Sequence, residues 1–130
     1  MGLATANRLR RPAEFKRVLG IARKRGSRSR DSLLLLSVAP GQANESRLGL
    51  AVSKRVGNSV ARNRVKRRLR EVFRSLVTGE AAQESSTWDV VVTAQPAAAE
   101  EPYEVLKRSA ETLMSRATRD NRNKKTSRDG

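Results

Sequence analysis

Apolar residues recur at helical spacing between positions 60 and 77, where Val65, Leu69, Val72, Phe73 and Leu76 form one stripe. This predicts the strongest helix in the chain, with Gly79 as its stop and the turn Gly57-Asn58-Ser59 as its start. A shorter helix is predicted from about Arg11 to Gly20, with Pro12 in the first turn, Glu14 near the positive end of the dipole, and Phe15, Val18 and Leu19 on one stripe. Either Gly20 or Gly26 ends it. A third helix starts near Pro102 and carries Tyr103, Leu106, Ala110, Leu113, Met114 and Ala117 inward.

Between the helices the pattern changes to strands. The run Ser32 to Val38 is apolar and closes on a Pro40-Gly41 turn, and Arg47 to Ser53 alternates Leu48, Leu50 and Val52 with Gly49, Ala51 and Ser53. Their closeness in sequence predicts a hairpin with a loose loop. The small residues of the second strand leave room for a helix or another backbone to approach. Thr87 to Ala94 is β-branched and nearly uncharged, as a central buried strand requires, and the helix before it predicts a parallel β-α-β unit. Residues 21 to 31 are too charged for a core strand and fit a short basic edge strand. Three helices and three or four strands make an α+β two-layer sandwich. At 130 residues this is one domain, expected over positions 1–118, with 119–130 expected to be a disordered basic tail.

Charge sharpens this picture. The chain carries 28 Lys and Arg against 13 Asp and Glu, a formal net charge of +15, which favours a polyanionic partner. Nine of the 21 residues from Lys54 to Arg74 are basic and only Glu71 opposes them. Cations at i, i+4 (Arg62 and Lys66, Lys66 and Arg70, Arg70 and Arg74) repel one another unless a partner neutralises them. The helix therefore reads as apolar on one side and phosphate-facing on the other. Its start, beside Lys54, Arg55, Arg62 and Arg64, is also an anion-binding position.

Several functions are excluded. With no Cys and no His the chain lacks thiol nucleophiles, zinc-knuckle ligands and the commonest general base. The carboxylates show no paired-acid or metal-site spacing. No apolar run approaches a membrane span, and the first residues lack the apolar core of a secretory signal, so a cytoplasmic location with no membrane partner is expected.

The stretch G-N-S-V-A-R-N-R-V-K-R-R-L-R-E-x-F, preceded by G-L-A-V-S-K, resembles the signature of the bacterial ribonuclease P protein component. The N-terminal R-L-R-x-x-x-E-F-x-x-V and the W-D-V-V-V strand support the resemblance, which covers about residues 7 to 117. It implies a four-stranded sheet with three helices, like the second domain of ribosomal protein S5, with a left-handed β-α-β crossover against the usual rule. It also implies the protein subunit of an RNA-based endonuclease that removes the 5′ leader of precursor tRNA, the RNA performing the hydrolysis with Mg²⁺ that it mainly holds itself. No metal bound by the protein alone and no protein partner are expected. Lys54, Arg55, Arg62, Asn63, Arg64, Lys66, Arg67 and Arg70 would contact the catalytic RNA, or position metal and phosphate near the scissile bond. A cleft between the first helix and the sheet, with Phe15, Leu19, Leu33 and Leu35, would hold the single-stranded leader. Many relatives carry aromatics where Leu19 and Leu35 fall, so the resemblance does not carry base stacking over to these two positions, and Phe15 would act there with apolar neighbours. The alternative is a structural ribosomal-RNA binder with no part in cleavage.

Overall fold

The computed structural model describes residues 7–78 and 87–129. Helix α1 spans Pro12–Arg25, followed by strands β1 (Arg28–Arg30), β2 (Leu34–Pro40) and β3 (Arg47–Ala51), helix α2 (Ser59–Thr78), strand β4 (Trp88–Ala94) and helix α3 (Tyr103–Asp129). α1 continues through Gly20 and stops at Gly26, whose left-handed backbone (φ 70°) closes the helix with an N–H bond to the Ala22 carbonyl. The predicted stop at Gly79 lies outside the described residues.

The sheet order is β1-β2-β4-β3. β2 and β3 therefore do not form the expected hairpin. β4 lies between them, antiparallel to β2 and parallel to β3, with Val38 and Leu48 both opposite Val90. Every β4 position from Asp89 to Thr93 thus has a partner on each side, which suits its β-branched, uncharged run. A β2–β3 hairpin would leave that run on an edge. The predicted parallel β3-α2-β4 unit and the basic edge strand β1 are both present.

Alternation divides the sheet into two unequal faces. Leu34, Leu36, Val38, Leu48, Val90 and Val92 face α2 and α3, meeting Val65, Leu69, Val72 and Phe73 of α2 and Leu106, Ala110 and Leu113 of α3. Burying Phe73 alone is worth about 2–3 kcal/mol. The second face carries a smaller cluster, Leu9, Val18, Ala39 and Val91, with Phe15 and Ile21 against it. α1 covers this face only partly.

Helical backbone continues to Asp129, through the stretch expected to be disordered. The nucleation cost of a helix is met by its packed first turns, after which each further residue adds one backbone hydrogen bond without a new nucleus. Trp88 opens β4 and packs half-buried at the margin of the larger core, the strand-end role its position suggests.

Candidate nucleic-acid interface

Ser53 Oγ accepts the Arg55 amide hydrogen and begins a single 3₁₀ turn, Lys54–Val56, that presents Lys54 and Arg55 to solvent while Val56 anchors it in the core. Gly57 follows with φ 152°, a backbone that a side chain would strain, and Asn58 Oδ1 caps α2 by accepting the Ala61 amide hydrogen at 2.9 Å. The turn thus aims the first amides of α2 outward beside a row of cations.

α2 resolves its charges by direction. Val65, Leu69, Val72 and Phe73 have no exposed surface, so the apolar stripe is the core-facing side. Asn63, Arg64 and Arg67 are exposed, and Arg62, Lys66 and Arg70 are half-buried along one margin. Among the described residues no carboxylate pairs with Arg62, Arg64, Lys66, Arg67 or Arg70. Two arginines of the helix behave differently. Arg68 turns inward and donates to the Glu101 carbonyl at 2.9 Å, while Arg74 pairs with Glu71 at 2.8 Å. The buried Nε of Arg62 has no hydrogen-bond partner among the described residues, and its Nη2 reaches Ser59 Oγ at 3.3 Å.

Lys66 and Arg70 also line a pocket of about 150 Å³ with Arg8, Arg10, Phe15 and Leu50. Its apolar floor and four cationic side chains suit a nucleotide, which offers both a flat ring and a phosphate. Arg8 and Arg10 belong to the N-terminal R-L-R run but precede the first helix, so helical periodicity assigns them no place at a site. They arrive through pairing of the N-terminal segment with β3, where the Leu9 amide donates to the Leu48 carbonyl at 2.9 Å and Asn7 Nδ2 to the Ser46 carbonyl at 2.9 Å.

The expected apolar cleft is only partly assembled. Phe15 packs on the α1 face of the sheet, Leu19 stands one turn further along α1 at 36% exposure, and Leu35 alternates with buried Leu34 and Leu36, which assigns it to the same face. Leu33 does not join them. It lies before β2, where its amide donates to Asp31 Oδ1 at 2.8 Å, and it packs against the larger core instead. Strand alternation cannot be extended through that turn.

α1 is tied to the sheet by charge. Asp89, fully buried, accepts from Arg47 Nε at 3.1 Å and Nη2 at 2.9 Å, and also pairs with Arg17 of α1. Arg47 reaches on to Glu14 at 2.8 Å. Hydrogen bonds from the Arg11 and Arg10 amides, with Arg47 nearby, hold the Glu14 carboxyl below its ordinary range, and hydrogen bonding to Asp89 raises Arg47. An aspartate in an otherwise apolar strand was the available signal, since a buried charge requires partners.

Among the described residues no group of three or more His, Cys, Asp or Glu could hold a metal ion, and no helix is long and apolar enough to cross a membrane. The family model for Ribonuclease P matches residues 3–118, which include α1, the whole sheet and the cationic face of α2. The chain belongs to the ribonuclease P protein family. It is 39% identical to the ribonuclease P protein component of Roseiflexus castenholzii over 114 residues, 86% of each chain. The corresponding protein of Clostridium kluyveri is 36% identical over 110 residues, 85% of this chain and 93% of the relative. The structure of the Staphylococcus aureus RNase P protein superposes with a TM-score of 0.69 at 26% identity, covering 87% of this chain and 96% of that one. The family assignment thus coincides with the α+β fold.

Proposed function

We propose that this member of the ribonuclease P protein family serves as the protein subunit of the tRNA 5′-processing ribonucleoprotein, with α2 docked on the catalytic RNA and the α1 face of the sheet on the 5′ leader of precursor tRNA. The observation that carries this reading is the outer face of α2, where Arg62, Arg64, Lys66, Arg67 and Arg70 stand without acidic partners among the described residues while the opposite face is closed into the core. Such a face binds RNA phosphates and releases counterions. Lys54, Arg55 and Asn63 extend it, and Phe15, Leu19 and Leu35 offer apolar contact to unpaired bases.

The chain's own residues bind and orient RNA. Mg²⁺ held mainly by the RNA subunit supplies the hydrolytic chemistry, and the site of action is the cytoplasm. Neutralising crowded phosphates favours leader-bearing substrate over trimmed product and lowers the Mg²⁺ concentration that the RNA needs. Family membership does not favour the alternative of a ribosomal-RNA scaffold protein.

The deciding experiment mixes purified protein with a bacterial ribonuclease P RNA and labelled precursor tRNA at low Mg²⁺. A gain in leader removal over RNA alone is expected. Tight RNA binding with no gain in cleavage would overturn the proposal.

A further inference from the structure

We infer that Glu14 is a positioning residue for leader recognition: without touching RNA, it holds the main chain that carries Arg8 and Arg10, so that both line the pocket beside Lys66 and Arg70 where the leader backbone passes. This rests on reading the α1 face of the sheet as the leader's place and assigns what keeps that face in register.

Both oxygens of Glu14 are committed to the protein. Oε1 accepts the amide hydrogens of Arg10 at 3.1 Å and Arg11 at 3.0 Å, and Oε2 accepts from Arg47 Nη1 at 2.8 Å. Arg47 and Asp89 are register partners on β3 and β4, and Arg47 grips the fully buried Asp89 through Nε and Nη2. A continuous run of charge-assisted bonds therefore ties the main chain at Arg10 and Arg11 to the interior of the sheet. Just upstream, the Leu9 amide and the Asn7 side chain pin the same segment to β3 and the residue before it. Arg8 lies between the attachments at Asn7 and Leu9, and Arg10 between Leu9 and Arg11. Neither can swing away from the pocket that they line with Lys66 and Arg70.

The manner of attachment separates positioning from ordinary capping. A carboxylate on the first amides would be enough to start α1. The link through Arg47 to a buried aspartate goes beyond that need. Glu14 also takes the amides of Arg10 and Arg11 and leaves their guanidinium groups unneutralised, while the two acids and two arginines of the network, Glu14, Asp89, Arg17 and Arg47, cancel one another. The segment is thus fixed with no loss of positive field at the pocket. Among the described residues neither Arg8 nor Arg10 has a carboxylate partner, and the buried Nε of Arg8 has no hydrogen-bond partner. A phosphate oxygen supplies the acceptor that such a group lacks.

The sign of one substitution tests this. Glu14→Ala removes a negative charge beside a polyanion, so charge alone would strengthen binding of precursor tRNA. Positioning requires the opposite. The full chain is assembled with ribonuclease P RNA, and dissociation constants are measured for precursor and mature tRNA. Glu14→Ala should lower the preference for precursor by roughly 3–10-fold, with affinity for ribonuclease P RNA retained. Arg8→Ala/Arg10→Ala should lower the preference by a similar factor, and adding Glu14→Ala to that pair should lower it no further, since the groups to be positioned are gone. Glu14→Gln keeps a carbonyl oxygen for the two amides and should recover part of the preference; it replaces the alanine variant in the same cycle if that variant fails to fold by circular dichroism.

A preference that is unchanged or higher in the Glu14 variants overturns the inference and leaves the leader reading intact. So does an equal further loss in the combined variant, which would make Glu14 a general support of α1, or an unchanged preference in Arg8→Ala/Arg10→Ala. If the natural chain confers no preference for precursor at all, the leader reading falls and the inference falls with it.

Discussion

Phe15 of α1 occupies the space that a side chain on Gly49 of β3 would take: a Cβ there would lie 2.6 Å from Phe15 Cζ and 3.2 Å from Leu9 Cβ. The absent side chain at 49 therefore sets how closely α1 lies on the sheet. Gly49→Ala should lift the ring and cost about 1–3 kcal/mol, measured by urea unfolding. An unchanged midpoint would show that the ring accommodates the methyl group without loss.

The same ring faces the cationic pocket. Phe15→Ala should lower the preference for precursor over mature tRNA by several-fold, as expected when one base loses about 1 kcal/mol of contact. Phe15→Leu, which keeps apolar bulk, separates the two roles of the ring: it should retain the fold in circular dichroism and recover only part of the preference.

Asp89 has no exposed surface and serves two arginines. Asp89→Ala leaves Arg17 and Arg47 facing each other and should destabilise the protein by about 3 kcal/mol, seen as a lower urea midpoint. Because Arg17 belongs to α1, amide exchange in α1 should rise more than in α2.

Neighbouring arginines on α2 should separate binding from stability. Arg67→Ala, at an exposed position with no carboxylate partner among the described residues, should weaken binding to ribonuclease P RNA and lower its salt slope by about one unit with little effect on folding. Arg68→Ala removes the bond to the Glu101 carbonyl and should cost about 1.5–3 kcal/mol of stability with the slope retained. Equal effects on RNA binding would contradict the assigned directions.

Two carboxylates couple stability to acid. Glu14 is held below its ordinary 4.5 by the Arg11 and Arg10 amides. Burial works against ionisation of Asp31, but hydrogen bonds from Ser109 and the Leu34 and Leu33 amides, with Arg116 nearby, outweigh it and hold the group below 3.8. Since both folded values are depressed, the stabilisation is fully present above the unfolded values and disappears as pH falls through the folded ones. The Tm gaps between the natural chain and Glu14→Gln or Asp31→Asn should be largest near neutrality and narrow below about pH 4.5. Gaps that persist to low pH would place the effect in packing.

The amphipathic helix after the Gly57-Asn58-Ser59 turn, the small-residue face of β3 open to close approach, and the cationic outer face were legible in the sequence, because helix periodicity, turn chemistry and charge density are local properties, whereas the structure chose Asn58 as the cap and Gly49 as the crossing point. Strand partnership was not. Adjacent runs suggest a hairpin, but β4 enters between β2 and β3 because only a two-sided position suits Val90, Val91 and Val92, and that choice depends on residues about 40 to 60 positions apart. Tertiary packing also decided that Arg68 points inward, that Leu33 leaves the apolar cleft, and that Arg8 and Arg10 meet Lys66 and Arg70 around one pocket. Local pattern dictates which side of an element is greasy. The partner that each side chain meets is settled by how those sides close on one another.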